Sequence, residues 1–226
     1  MSVSEALLNR RSVRGFLNQS VPAQLLRRLV AAAARAPSGG NLQPWHIYVL
    51  SGPPLEALRS EMARRVVELP RGESKEYDIY PPDLKSPYNE RRLQVAEALY
   101  GAIGLPREDK SARRAQFNEN FRFFGAPVGL FCYVDRRLGP PQWSDLGMYL
   151  QSLMLLALEE GLATCPQECW SLYPQTVAQF VSPPPELMLF CGMAIGYEDK
   201  AVKANALRTI RAPVEEFATF LGSAAE

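Results

Sequence analysis

Residues 144–161 read SDLGMYLQSLMLLALEEG, the most apolar helical pattern in the chain. Leucine, methionine and tyrosine recur at nearly every angular position, and no wide polar stripe interrupts them. A helix that is hydrophobic on all sides must be buried on all sides. In a chain of 226 residues, a subunit interface is one natural place for it. Two continuous apolar runs flank this helix. APVGLFCYVD (126–135) precedes it and LMLFCGMAIGY (187–197) follows, and both predict buried strands.

Further out, WHIYVL (45–50) predicts another strand. Before it, a short helix is expected at 4–10. VPAQLLRRLVAAAARAP then opens a second helix at Pro22, with Leu25, Leu26, Leu29, Val30 and Ala33 as its stripe. Pro37-Ser38-Gly39-Gly40 stops that helix. A third helix follows Pro53-Pro54 to about residue 68, with two more at 91–103 and 108–120 and a last one in PVEEFATFLG (213–222). Between them, PRGESKEYDIYPPDLKSPYNE (70–90) has no stable period and predicts a lid or binding loop. Helices and strands alternate without repeat or composition break, so one α/β or α+β domain spans 1–226.

Charge and composition narrow the function. Lys+Arg total 25 against 24 Asp+Glu, which argues against a nucleic-acid binder with an extended basic face. No apolar run reaches the ~18 residues that cross a bilayer. The N-terminal MSVSEALLNRRSVRGF lacks the apolar core of a signal peptide, so a cytoplasmic, membrane-free protein is expected. His46 is the sole histidine, which excludes a His-rich metal site. Cys132, Cys165, Cys169 and Cys191 contain no CxxC pair and read as buried free thiols.

Four segments carry chemistry-bearing residues. Arg10-Arg11-Ser12-Val13-Arg14 concentrates three guanidiniums within five residues, suited to a phosphate monoester or equally to a solvated surface turn. Asn205-Ala206-Leu207-Arg208-Thr209-Ile210-Arg211 forms a second cluster. Two such clusters in a near-neutral chain favour a bound phosphate. Ala36-Pro37-Ser38-Gly39-Gly40-Asn41-Leu42-Gln43 puts small polar residues on a glycine turn, where backbone can approach a ligand closely or side chains can simply cap the turn. Thr164-Cys165-Pro166-Gln167-Glu168-Cys169-Trp170 reads as a loop entering a helix, with backbone N–H groups free to donate or to serve a plain connection.

As a set, RRSVRGF, APSGGNLQPWHIYVL, RFFGAPVGLF, WSDLGMYLQSLMLLALEEGLATCPQ and CGMAIGYEDKAVKANALRTIRAP resemble the FMN-dependent nitroreductase family, in that order and nearly end to end. The resemblance implies an α+β fold: a central, mostly antiparallel sheet flanked by helices, in an intertwined homodimer with two FMN at the interface. It implies that Arg10, Arg11, Ser12 and Arg14 hold the FMN phosphate, ribityl chain or pyrimidine edge. Arg208 would complete the clamp, with Asn205 and Arg211 beside it. Pro37, Ser38, Gly39 and Asn41 would pack on the flavin from the partner subunit, with Gln43 nearby. Many relatives carry a second Ser where Gly39 stands. The backbone of Glu168 and Cys169, after Pro166-Gln167, would lie against flavin N5 and O4.

The same resemblance implies an oxidoreductase in which NADH or NADPH reduces FMN and the flavin then reduces a nitroaromatic, quinone or similar small molecule. Kinetics would be ping-pong, with no catalytic side chain and no metal. Tyr80 and Tyr88 in the irregular stretch, and Phe123 and Phe124 in Phe121-Arg122-Phe123-Phe124, are the expected substrate cover; the phenylalanines also suit plain core packing. On the same scaffold, reductive dehalogenation, ring dehydrogenation, flavin breakdown or a non-catalytic flavin sensor are the competing readings.

Overall fold

The computed structural model describes residues 1–222 of the chain. Four strands form its sheet: β1 (His46–Ser51), β2 (Val128–Asp135), β3 (Ala163–Gln167) and β4 (Leu187–Gly196). Their spatial order is β1-β2-β4-β3 and every neighbouring pair is antiparallel. The helices are α1 (Val3–Asn9), α2 (Ala23–Ala33), α3 (Pro53–Glu68), α4 (Tyr88–Ala102), α5 (Lys110–Asn118), α6 (Pro140–Glu159) and α7 (Pro174–Val181). The α+β expectation holds, and the strands expected near 45–50, 126–135 and 187–197 are present.

The sheet is apolar on both faces because helices cover both. Alternation along β2 sends Val128, Leu130, Cys132 and Val134 to one core with Leu146, Tyr149, Leu153 and Ala157 of α6 and Leu26, Leu29 and Ala33 of α2. Phe131 and Tyr133 point the other way, to a core with Leu55, Leu58 and Met62 of α3 and with Phe121, Phe123, Trp170 and Tyr173. The register of β2 on β4 shifts between Cys132 and Tyr133. That bulge inserts one extra residue in β4, so Leu187 and Leu189 serve the α3 side while Cys191, Met193 and Ile195 serve the α6 side.

On the α3 side, two aromatic rings lie flat against the strands where side chains are missing. A Cβ on Gly192 would fall 2.2 Å from Trp170 Cδ1, and one on Gly129 would fall 2.6 Å from the Phe123 ring. The two rings stack on each other at 4.6 Å between centroids. Phe123 is fully buried and Phe124 is 7% exposed. Both rings pack into the core on the α3 side.

Two expectations about the elements are corrected. Residues 163–167 form a strand, where a loop was expected. It is short and carries Pro166, which a sheet accepts here because β3 is an edge strand and the missing N–H need not pair. The C-terminal helix is reduced to one 3-10 turn, Val214–Glu216. Phe217, Phe220 and Leu221 stay exposed, and so short a helix has little stability without a surface to pack on. In the single chain, α6 is buried along one side and open along the other. Gly147 and Met148 face outward, and Met148 is 38% exposed.

Candidate functional site

Residues 10–17 run beside the ends of β3 and β4. The Val13 N–H donates to Thr164 O at 3.0 Å, and the Leu17 N–H donates to Tyr197 O at 2.9 Å. A buried amide locks this segment to the far end of the chain. Asn205 Nδ2 donates to Gly15 O (2.9 Å) and Asp199 O (2.8 Å), while its Oδ1 accepts from the Arg14 N–H at 2.7 Å. Asn205 is only 2% exposed. Its amide is engaged by backbone, and it fixes the Arg14–Gly15 segment against the 199–205 loop.

The two arginine clusters meet through this lock. Arg10, Arg11, Ser12, Arg14, Arg208 and Arg211 line one open cavity of about 330 Å³. Arg11 is compensated by its 2.5 Å ion pair with Glu198 and donates from Nε to Asn205 O at 2.9 Å. Among the described residues, Arg10, Arg14, Arg208 and Arg211 form no salt bridge. Burial first, and then the charge of Arg211, lower the pKa of Arg10. Several cations held together without a carboxylate lack their counter-charge, and a phosphate supplies it with bidentate geometry. The residues fit the phosphate of a mononucleotide.

β3 leads to the second part of the site. Trp170, fully buried, fixes the turn Glu168–Leu172 from below through edge contacts with Phe121 (5.3 Å) and Phe131 (5.0 Å). Gln167 Nε2 donates to Asn120 O at 2.7 Å, and Gln167 Oε1 accepts from Trp170 Nε1 at 3.3 Å. The Gln167 side chain is thus committed to the core. Cys165 sits under Ser12, Arg14 and Arg10; burial nonetheless pushes its thiol up to about 11. Burial also raises Cys169 and Cys132, and it lifts Cys191 to about 12. All four thiols are unpaired and held protonated.

Glu168 reaches the surface, and partial enclosure raises the pKa of its carboxylate. The Glu73 and Glu76 N–H groups donate to Leu172 O at 2.8 Å and Ser171 O at 3.3 Å, which places this part of the 70–87 stretch beside the turn that follows β3. The first half of that stretch is pinned. The Glu73 carboxylate accepts from the Gln175 and Thr176 N–H groups, both at 3.0 Å, and so caps α7. The Tyr77 hydroxyl donates to Phe190 O, and its ring lies 5.5 Å from Trp143. The second half carries the exposed Tyr80, with Arg92 5.2 Å above its ring, and leads to the exposed Tyr88 at the start of α4. Glu73 and Tyr77 escaped the sequence reading, since anchors in an aperiodic segment leave no pattern.

The Pro37–Gln43 turn lines none of the cavities around the arginines in its own chain. It is closed on itself. The Gln43 N–H donates to Ser38 Oγ at 3.0 Å, and the Asn41 N–H donates to Ser38 O at 2.9 Å. Gly40, Asn41 and Gln43 all have positive φ, at 58°, 56° and 50°. Gly39 has open space where a side chain would sit, so the serine of many relatives fits there.

The site thus consists of an antiparallel four-stranded sheet between helical layers with an arginine-lined cavity beside edge strand β3. The family model described as "Nitroreductase family" matches residues 7–197, and the chain belongs to that family. It is 35% identical to the nitrobenzene nitroreductase of Ectopseudomonas oleovorans, over 97% of this chain and 96% of the relative. It is 38% identical to a 4-nitrobenzoate reductase of Nocardioides sp., covering 94% and 87%. Among solved structures, it superposes with TM-score 0.95 at 47% identity on the FMN- and NADPH-dependent nitroreductase NfnB of Sphigopyxis sp. strain HMH, covering 99% and 100%.

Proposed function

We propose that this protein is an FMN-dependent NAD(P)H nitroreductase that works as a homodimer. The observation that carries it is the meeting of two arginine clusters, nearly 200 residues apart, in one cavity where four of the five lining guanidiniums have no acidic counterpart among the described residues. FMN held there would supply two-electron hydride chemistry between a nicotinamide donor and the acceptor.

The chain's own residues bind, orient and shield. Arg10, Arg14, Arg208 and Arg211 hold the phosphate, with the Ser12 hydroxyl beside them. Arg11 holds the cradle's shape through Glu198. The backbone of Glu168 and Cys169, fixed from below by Trp170, offers N–H donors to the electron-rich edge of the ring. The Pro37–Gln43 turn packs on the ring from the partner subunit, which accords with its absence from the cavity of its own chain. The open side of α6 at Gly147 and Met148, together with the exposed Phe217 and Phe220, supplies apolar surface for that partner. Tyr80 and Tyr88 exclude water over the acceptor.

The acceptor class is a nitroarene, as in the named relatives, and NADPH is the favoured donor because the NfnB relatives are described with it. Four unpaired thiols suit a reducing compartment such as the cytoplasm. The test is the visible spectrum of the purified protein under anaerobic NADPH, then NADH, then nitrobenzene. A yellow protein that bleaches and regains colour with the nitroarene is the expected result. A protein that FMN cannot reconstitute refutes the cofactor, and one that stays yellow with both nicotinamides refutes the reaction.

A further inference from the structure

We infer that Asp145 is a positioning residue for the flavin-facing turn Pro37–Gln43. The inference rests on the reading above, that this turn packs on FMN. Asp145 lies in the second turn of α6 and is 4% exposed. Among the described residues it has no salt-bridge partner, yet both of its carboxylate oxygens lie 3.3 Å from the Gly39 N. Every other hydrogen bond of Ser38–Gln43 closes within the turn itself. Among the described residues, the Gly39 N–H to Asp145 is the single hydrogen bond that ties Ser38–Gln43 to the rest of the chain.

That tether matters because of the backbone it holds. Three of the four residues 40–43 sit in the left-handed region, and two of them, Asn41 and Gln43, carry side chains. Such a backbone persists only where its surroundings hold it. One charge-assisted bond from a buried carboxylate is the device on the page, and it starts from the helix proposed as the dimer core. Asp145 thus sets the height of the turn relative to the subunit interface and, through it, the fit against the flavin. It touches neither flavin nor acceptor.

A double-mutant cycle tests this on the full-length dimer, read as FMN affinity by flavin fluorescence and as dimer mass by light scattering. Asp145→Ala removes the acceptor. Gly39→Pro removes the donor: Ser38 is already extended (φ −146°, ψ 148°), as a residue before proline must be, and nothing lies within 4 Å of a Cβ at Gly39. Each single variant is expected to weaken FMN binding at least tenfold with the dimer intact. The double variant should be no weaker than the worse single, and Asp145→Asn, which keeps one oxygen, should recover most of the affinity.

Wild-type affinity in Asp145→Ala overturns the inference, as does full additivity in the double variant or failure of Asn to rescue. Should Asp145→Ala not fold, Gly39→Pro and Asp145→Asn carry the test, and unchanged affinity in the proline variant overturns it. Failure of the wild-type protein to bind FMN is a different result and refutes the flavin reading instead.

Discussion

Arg208→Ala separates ligand binding from folding, because the two should move in opposite directions. Arg208 is exposed, forms no salt bridge and makes one hydrogen bond, from Nη1 to Asn9 O at 3.3 Å. Its removal therefore costs the fold little. A sphere of the cavity's volume is roughly 9 Å across, and two guanidiniums facing each other at that distance repel by about 0.5 kcal/mol in a water-like dielectric. The FMN-free variant should gain that much for each relieved neighbour, roughly 1–2 °C in melting temperature for a chain of this size. With FMN, a charge-assisted bond worth about 1.5–3 kcal/mol is lost, so Kd should rise roughly 10- to 100-fold. The salt dependence of binding should flatten with it. Fluorescence titration at low and high salt, paired with thermal unfolding of the flavin-free protein, gives both numbers. Unchanged flavin affinity, or a flavin-free melting temperature that falls in step with affinity, would refute the placement of the phosphate.

Three other outcomes are expected. Gly192→Ala puts a methyl 2.2 Å from Trp170; it should destabilise by about 1–3 kcal/mol in urea unfolding and loosen the Glu168–Leu172 turn. Glu168→Gln tests the raised pKa of that carboxylate. A raised folded pKa leaves full stability below the ordinary glutamate range and withdraws it as pH climbs through the folded value, so the Gln variant should be more stable than wild type at pH 8 and lose that advantage at pH 4. Tyr88→Ala should change relative kcat/KM among nitroarenes with FMN affinity kept, whereas Phe123→Ala should cost about 3–5 kcal/mol of stability; the reverse pairing would refute the division between cover and core.

Much of this was legible in the linear chain because local pattern and global fold agree. Continuous apolar runs identified β2 and β4, since a sheet covered on both faces needs no polar alternation. The stripe from Leu25 to Ala33 and the stop at Pro37 identified α2. The two arginine clusters and the 36–43 turn were visible as dense, unusual chemistry. β3 was not visible, because five residues with an internal proline carry no strand signal unless their edge position is known. Nor did composition separate Phe123 from Tyr88: both are aromatics in irregular stretches, and only packing against Gly129 and Trp170 sends one inward.

The sequence by itself determined most of the helices, three of the four strands, and which side chains have the chemistry to grip a phosphate. The tertiary structure decided which of those side chains are free to do so. It paired Arg11 with Glu198, spent Asn205 and Gln167 on neighbouring groups, left Arg10, Arg14, Arg208 and Arg211 without carboxylates, and hung the 36–43 turn on Asp145. Periodicity is written into neighbouring residues, whereas the partner of a charge or a buried amide is set by which distant elements the sheet brings together, and no local pattern encodes that distance.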